Sequence, residues 1–299
     1  RFTLTGATRL AEYNARYQVA IARMQLTANN PDGAAYSVSK ALQDSPDDLS
    51  ALTLAVEIEA RRGEATKADA ALKTLLAKYP NALETAKVSA DLALFRGQYQ
   101  VAIASYRKVL ARSETTGNAL ALVQAYMNSG ETDKAALFLE DWVKKHHGDQ
   151  LATKVLAETQ FRAGLLSQAR QTYQQVIKAN PEDAVTLNNY ANLLSQLKDP
   201  GAQEAAEKAL KLSPGHPAYA DTLGWILVGK GQPESGLRYL REARLRSPEN
   251  AEIRFHLAYA LAKIGRKDEA REEFRATVGR RNEISDSAMF QQLKIELGL

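Results

Sequence analysis

The sequence predicts an all-α protein assembled from repeated pairs of helices, and three observations predict it. Helix-favouring residues (Ala, Leu, Glu, Lys, Arg, Gln) dominate, only 9 prolines and 17 glycines interrupt 299 positions, and no long run alternates apolar and polar residues as a half-buried strand would. Aligned on those prolines and glycines, the chain divides into eight units starting near residues 15, 49, 83, 116, 150, 184, 217 and 251, a spacing of 33 or 34 throughout. The twentieth position of every unit is small (Ala34, Ala68, Ala102, Ala135, Ala169, Ala202, Gly236 and Ala270) when one deletion is allowed in the sixth unit.

Each unit reads as helix, tight turn, helix, stop. The first helix carries a mostly small eighth position, Ala22, Ala90, Ala157, Ala191, Gly224 and Ala258, with Val56 and Val123 departing. Small residues at positions eight and twenty mark where two helix axes approach closely. The turn falls at position fifteen, which is glycine in six units: Gly63, Gly97, Gly130, Gly164, Gly231 and Gly265. Glycine there takes the left-handed conformation that ends a helix. Position thirty-two is proline in five units (Pro46, Pro80, Pro181, Pro214 and Pro248) and prevents the second helix from continuing. The eight units occupy residues 15–284, and residues 1–14 read as an N-terminal segment or the remnant of a preceding repeat. The last stretch, "SDSAMFQQLKIELGL" at 285–299, reads as a closing helix with Ser285 as N-cap and Met289, Phe290, Leu293 and Leu297 on its apolar side.

This pattern resembles the tetratricopeptide repeat over residues 15 to about 284. Large positions of that family are partly kept: Leu187, Tyr190, Leu223, Leu227, Leu257 and Leu261 on first helices, and Tyr106, Tyr173, Leu240 and Phe274 on second helices. The usual tryptophan at position four is missing from every unit. The resemblance implies a right-handed superhelical α-solenoid of about eight helix-turn-helix units, closed by a C-terminal capping helix, with a concave groove where partners dock. One unit cannot bury its apolar face alone, so stability comes from stacking neighbours and the ends must be covered.

Bulk properties narrow the function classes. The formal charge is +4 with a pI near 9.0, but the densest basic patches, Lys144 to His147 and "GRR" at 279–281, sit at expected helix ends or loops, where cations complement the helix dipole. No basic stripe with stacking aromatics exists, so nucleic acid is not an expected partner. Cysteine is absent, which excludes disulfides, thiolate nucleophiles and Cys-ligated zinc. No run approaches the roughly 20 apolar residues of a membrane span. The chain begins at Arg1 without Met and is expected to be a mature or excised portion, with room upstream for a signal peptide or lipid anchor.

The stretch "GWILVGKG", Gly224 to Gly231, nearly matches a phosphate-binding loop. Its register decides against that. Gly224 occupies position eight, Gly229 and Lys230 close the first helix, and Gly231 stands where such a loop needs a hydroxyl residue. No H-E-x-x-H, G-x-S-x-G or dinucleotide fingerprint occurs, so no enzyme, cofactor or metal site is expected. Of the histidines His146, His147, His216 and His256, the adjacent pair cannot face one way on a helix and His216 follows "SPG" in a loop. Glu57 with Arg61, Lys87 with Asp91, and Lys154 with Glu158 read as i, i+4 pairs supporting solvated faces.

Function is therefore expected on a surface. On each first helix, positions two, five, nine and twelve point away from the packed side. Units one to five place mixed charges there, Arg16, Arg23, Glu57, Glu84, Lys87, Asp91, Lys154 and Glu158, without the lysine and asparagine clamp that some family members use on a peptide C-terminus. Units six to eight place Asn188, Asn192, Asp221, Trp225, Phe255 and Tyr259 on that face, with Asn189, His256 and Lys263 at its margin. Amides and aromatic faces suit an extended peptide backbone or a sugar ring. The alternative for Trp225 and Tyr259 is packing against the next helix.

The last three units carry a more particular resemblance, in the deletion at "KDPGA", in "DTLGW" and in "IRFHLAYALAKIG". They are similar to the carboxy-terminal end of the tetratricopeptide lipoproteins that accompany the exosortase and PEP-CTERM system of Gram-negative bacteria. That resemblance implies a non-catalytic scaffold in a periplasmic or outer-membrane-associated assembly, beside exopolysaccharide production, export or protein sorting. The expected partner is a protein or extended peptide in the groove. Direct polysaccharide binding and cytoplasmic regulation are the alternatives.

Overall fold

The computed structural model describes residues 14–277 and 288–299; the leading segment up to 13, the basic cluster at 279–281 and Ser285 lie outside the described residues. The described residues hold seventeen α-helices and no strand. In chain order these are α1 (Ala15–Thr27), α2 (Pro31–Asp44), α3 (Leu49–Arg61), α4 (Ala65–Lys78), α5 (Leu83–Phe95), α6 (Tyr99–Arg112), α7 (Thr116–Asn128), α8 (Thr132–Lys145) and α9 (Gln150–Arg162). They continue with α10 (Leu166–Ala179), α11 (Ala184–Gln196), α12 (Ala202–Leu212), α13 (Pro217–Gly229), α14 (Pro233–Arg246), α15 (Ala251–Lys263), α16 (Lys267–Arg275) and α17 (Ala288–Glu296). The fold is an all-α solenoid of eight helical hairpins followed by a closing helix, arranged as two compact units, Arg1–Ala152 and Thr153–Leu299.

Every odd-numbered helix from α1 to α15 is a first helix of 13 residues. Side-chain caps set several of their starts: Asn14, Asp48, Thr115, Asp183 and Asn250 each accept from backbone N–H groups of the first turn. Each such cap stabilises its helix by about 1 kcal/mol. The turn after the first helix is left-handed at all six predicted glycines, with φ between 71° and 81°. The other two units place Asn29 (φ 56°) and Lys198 (φ 55°) at the same position. Second helices α2, α4, α6, α8, α10 and α14 have 14 residues, whereas α12, after the deletion, has 11.

In the first compact unit each first helix packs on its own second helix, and α1, α3 and α5 also touch in sequence. Its first repeats have a small, aliphatic core: Ala22, Ala34, Ala41, Ala51 and Ile58 pack together at one end, then Val56, Ala68, Leu75 and Val88. Alanine at the crossings lets the axes close up and leaves leucine and valine to fill the space on either side.

The second compact unit repeats this scheme with α11, α13 and α15 side by side. The crossing of α13 and α14 is tight. A Cβ on Gly224 would stand 2.7 Å from Leu240 Cγ and 3.0 Å from the Gly236 carbonyl, and one on Gly236 would stand 2.6 Å from the Gly224 carbonyl. These two glycines serve a helix crossing, and Gly229 ends α13 with Lys230 as its cap. The α17 helix closes the stack by burying Phe290, Leu293 and, just past its end, Leu297. Met289 departs from the expectation of an apolar buried side. It is 41% exposed, because the stripe facing α15 is filled by Phe290 stacked on Phe255 at 5.6 Å and packed on Phe274 at 4.5 Å.

Two of the three expected i, i+4 pairs are also redirected. Arg61 does meet Glu57 at 2.7 Å. Lys154 instead reaches Asp183 at 2.7 Å, Glu158 accepts from Asn189 Nδ2 at 3.1 Å, and Asp91 accepts the Tyr106 hydroxyl. The neighbouring helices offer better-placed partners than the next turn of the same helix.

Candidate interaction surface

The sequence-predicted residues of units six to eight fall in two rows across α11, α13 and α15. Position five carries Asn188, Asp221 and Phe255, and all three are buried. Position nine carries Asn192, Trp225 and Tyr259, and all three are half-buried, each showing part of its side chain to solvent. The inner row therefore forms a floor and the outer row the accessible face.

The floor is not uniform. Phe255 belongs to the core through its stack on Phe290, and so is no contact residue for a partner. Asp221 and His256 form a buried pair: the imidazole Nδ1 lies 3.0 and 2.9 Å from the two carboxylate oxygens and donates to them. This contact with both oxygens fixes the ring orientation. Asn188 is 7% exposed and its Oδ1 accepts no hydrogen bond. A buried acceptor left this way costs about 1–3 kcal/mol.

Above the floor the aromatic groups form one connected array. Trp225 stacks flat on His256, 4.1 Å between ring centres at 14°. Tyr259 meets Trp225 edge-on at 5.3 Å and 74°, and the Lys263 ammonium lies 4.9 Å over the Tyr259 ring. Both Trp225 and Tyr259 pack against the core cluster of the last two repeats while keeping exposed edges. The structure thus brings together Asp221, Trp225, His256, Tyr259 and Lys263. Asn188, Asn189 and Asn192 stand on the neighbouring helix α11, with Asn189 held by Glu158.

A salt link anchors the start of α11. Burial opposes ionisation of Asp183, but the Lys154 ammonium, the Thr186 hydroxyl and the Thr186 backbone N–H together outweigh it and hold the carboxyl below its ordinary range. In the first compact unit the charged first-helix face is less simple than its sequence suggests. Glu57, Arg61, Lys87, Asp91 and the 62% exposed ring of Phe95 line a cleft of about 400 Å³ between α3 and α5. Burial raises the Asp91 carboxyl, partly offset by the Tyr106 hydroxyl bond, and pushes the Tyr106 phenol well above its ordinary value. Sequence reading missed this cleft and a second one, of about 430 Å³, that joins Trp225, Tyr259 and Lys263 to Val228, Pro233 and Met289. The available signal was position thirteen, occupied by Phe95 in one unit, Gly229 in another and Lys263 in the last.

The described residues contain no group of three or more His, Asp or Glu side chains placed to hold a metal ion, and no helix long and apolar enough to cross a membrane. Family comparison agrees with the hairpin geometry. Sequence families described as the tetratricopeptide repeat match residues 51–82, 93–159, 154–217 and 222–283, together well over half of the chain. The chain belongs to the tetratricopeptide repeat family. The repeat is in general a scaffold for protein interaction.

Tetratricopeptide relatives include the TPR repeat-containing protein PA4667 of Pseudomonas aeruginosa, 30% identical over 160 residues, which covers 52% of this chain and 27% of that protein. Tetratricopeptide repeat protein 21B of Mus musculus is 23% identical over 229 residues, covering 74% of this chain and 17% of that one. The chain thus spans about a quarter or less of the length of these two relatives. Among solved structures, a tetratricopeptide repeat protein from Parabacteroides merdae aligns with TM-score 0.60 at 15% identity, over 83% of this chain and 98% of its own. The Cut9–Hcn1 hetero-tetramer of the APC/C aligns with TM-score 0.59 at 16% identity, over 96% of this chain and 59% of that one. At these identities the likeness concerns the fold.

Proposed function

We propose that this tetratricopeptide scaffold holds an extended peptide segment of a partner protein across α11, α13 and α15. The observation that carries the reading is the Trp225 ring, half-buried and clamped flat on a buried His256 that Asp221 holds. A large aromatic surface fixed before binding loses little freedom when a partner covers it. The half-buried Asn192 amide, beside this ring in the outer row, supplies both a donor and an acceptor for a peptide backbone.

The setting we propose is a periplasmic or outer-membrane-associated assembly tied to exopolysaccharide production, export or exosortase sorting. Its support is the similarity of "KDPGA", "DTLGW" and "IRFHLAYALAKIG" to the PrsT-type lipoproteins of the PEP-CTERM system. A photo-crosslinking residue at position 192, followed by recovery from the native envelope, tests both parts. Covalent capture of an envelope protein that disappears with Trp225→Ala is the expected result; capture of cytosolic proteins alone overturns the setting, and no capture overturns the face.

Direct polysaccharide binding is the second reading, favoured by the same ring and amides, since apolar sugar faces stack on indole. Calorimetric titration with purified exopolysaccharide decides it: a heat signal lost in Trp225→Phe supports it, and no signal removes it.

A further inference from the structure

The outer aromatic row does not end at its exposed edges. It continues into the cleft of about 430 Å³ whose walls are Trp225, Tyr259, Val228, Pro233 and Met289, with Lys263 as the charged wall residue among the described ones. The volume falls in the range of small-ligand sites and suits one phenyl or branched aliphatic group. Five of these residues come from three successive elements, α13, the start of α14 and α15, and Met289 of α17 closes the end. Met289 is 41% exposed, outside the cluster that Phe290, Leu293 and Leu297 fill, and a flexible thioether is well suited to mould round an inserted group.

Charge gives the cleft a preference. Lys263 is exposed, its recorded contact is the Tyr259 ring, and among the described residues its ammonium has no carboxylate partner. The opposing field comes from two helix C-termini, α13 and α15, whose carbonyl ends favour cations. Those ends are largely quenched: Leu227 and Val228 carbonyls accept from Gln232 and Gly231, and Leu261 and Ala262 carbonyls from Arg266 and Gly265. The full charge at the rim therefore outweighs the partial charges behind it.

We infer that this cleft is the specificity pocket of the first-helix face, taking an aromatic or branched apolar side chain of the bound peptide together with an adjacent carboxylate that pairs with Lys263. The inference rests on the peptide-binding reading above but concerns what the peptide must contain. A partner segment would then carry an acidic residue next to an apolar one, whereas amides on α11 bind backbone without regard to sequence.

The test uses three small probes on the isotope-labelled chain: 3-phenylpropionate, 3-phenylpropanamide and phenethylammonium, followed by amide and indole N–H resonances. Expected are saturable shifts at Gly229, Gly231 and the Trp225 indole N–H, in the order propionate, amide, ammonium. The gap between the first two should be about threefold, the size of one exposed ion pair. Lys263→Gln should erase that gap while amide binding persists, and Lys263→Glu should reverse the order; Lys263 is exposed, so both variants keep the fold. Equal binding of propionate and amide, or preference for the ammonium, overturns the carboxylate part and leaves the peptide face standing. Absence of shifts with all three probes overturns the pocket, while crosslinking at position 192 reports separately on the face.

Discussion

The Trp225 indole rests flat on the His256 imidazole at 4.1 Å, and His256 is itself held by Asp221 at 2.9 Å, so one buried carboxylate sets the pose of the indole above it. Asp221→Ala would leave a buried imidazole N–H without its acceptor. We expect a loss of about 1–3 kcal/mol in chemical denaturation, the cost of stranding a buried polar group. Asp221→Asn keeps an acceptor and should lose less. In the alanine variant Trp225 emission should shift, because the ring under it is no longer fixed; an unchanged spectrum with full stability would refute the clamp.

The Gly224–Gly236 crossing predicts a sharp size limit. Gly236→Ala places its methyl 2.6 Å from a backbone carbonyl, which cannot yield as a side-chain tip can. Overpacking of this kind costs about 1–3 kcal/mol. Gly224→Ala meets the Leu240 side chain first and should cost less; equal melting temperatures for wild type and Gly236→Ala would contradict the crossing geometry.

Left-handed turns give a test in the opposite direction. Lys198 holds φ 55° with a side chain that disfavours it, so Lys198→Gly should stabilise by up to about 1 kcal/mol after the added freedom of the unfolded chain is counted. Gly130→Ala, where φ is 78° and no atom crowds the new methyl, should destabilise by about 1 kcal/mol through backbone strain alone.

Two carboxylates should respond to acid with opposite signs. The Asp183 carboxyl is lowered in the folded state, so its stabilisation is present at neutral pH and lost as pH falls below the ordinary carboxylate range of about 4. Asp183→Asn should therefore destabilise at pH 7 and matter little at pH 3. Asp91 is raised, chiefly by burial, so its ionised form works against the fold at neutral pH. Asp91→Asn, which can still accept the Tyr106 hydroxyl, should be neutral or stabilising at pH 7 and lose that advantage under acid. Denaturation midpoints at the two pH values check both signs.

Much of this architecture is legible in the residues, because a stop signal acts locally. Each predicted glycine ends its own helix by its own backbone conformation, and no distant contact is needed to place it. The same logic explains why Lys198 and Asn29 escape a glycine-based reading: they occupy that conformation at a cost the surrounding stack sustains. The candidate surface was only half legible. Helical period alone puts positions five and nine on one face, but the tilt between stacked helices buries Asp221 and Phe255 and leaves Trp225 and Tyr259 at the border. Nor does sequence spacing reveal that Lys154 prefers Asp183 to Glu158, since that choice depends on where the next repeat begins.

The closing helix has a role beyond covering an apolar end. Phe290 touches Phe255 and Phe274, and Phe255 in turn touches Trp225, so rings run without a break from the closing helix to the half-buried indole. Loss of that helix would strip Phe255 of its stacking partner and, through it, slacken the Trp225 ring, so a helix beyond the last repeat steadies a surface it barely borders.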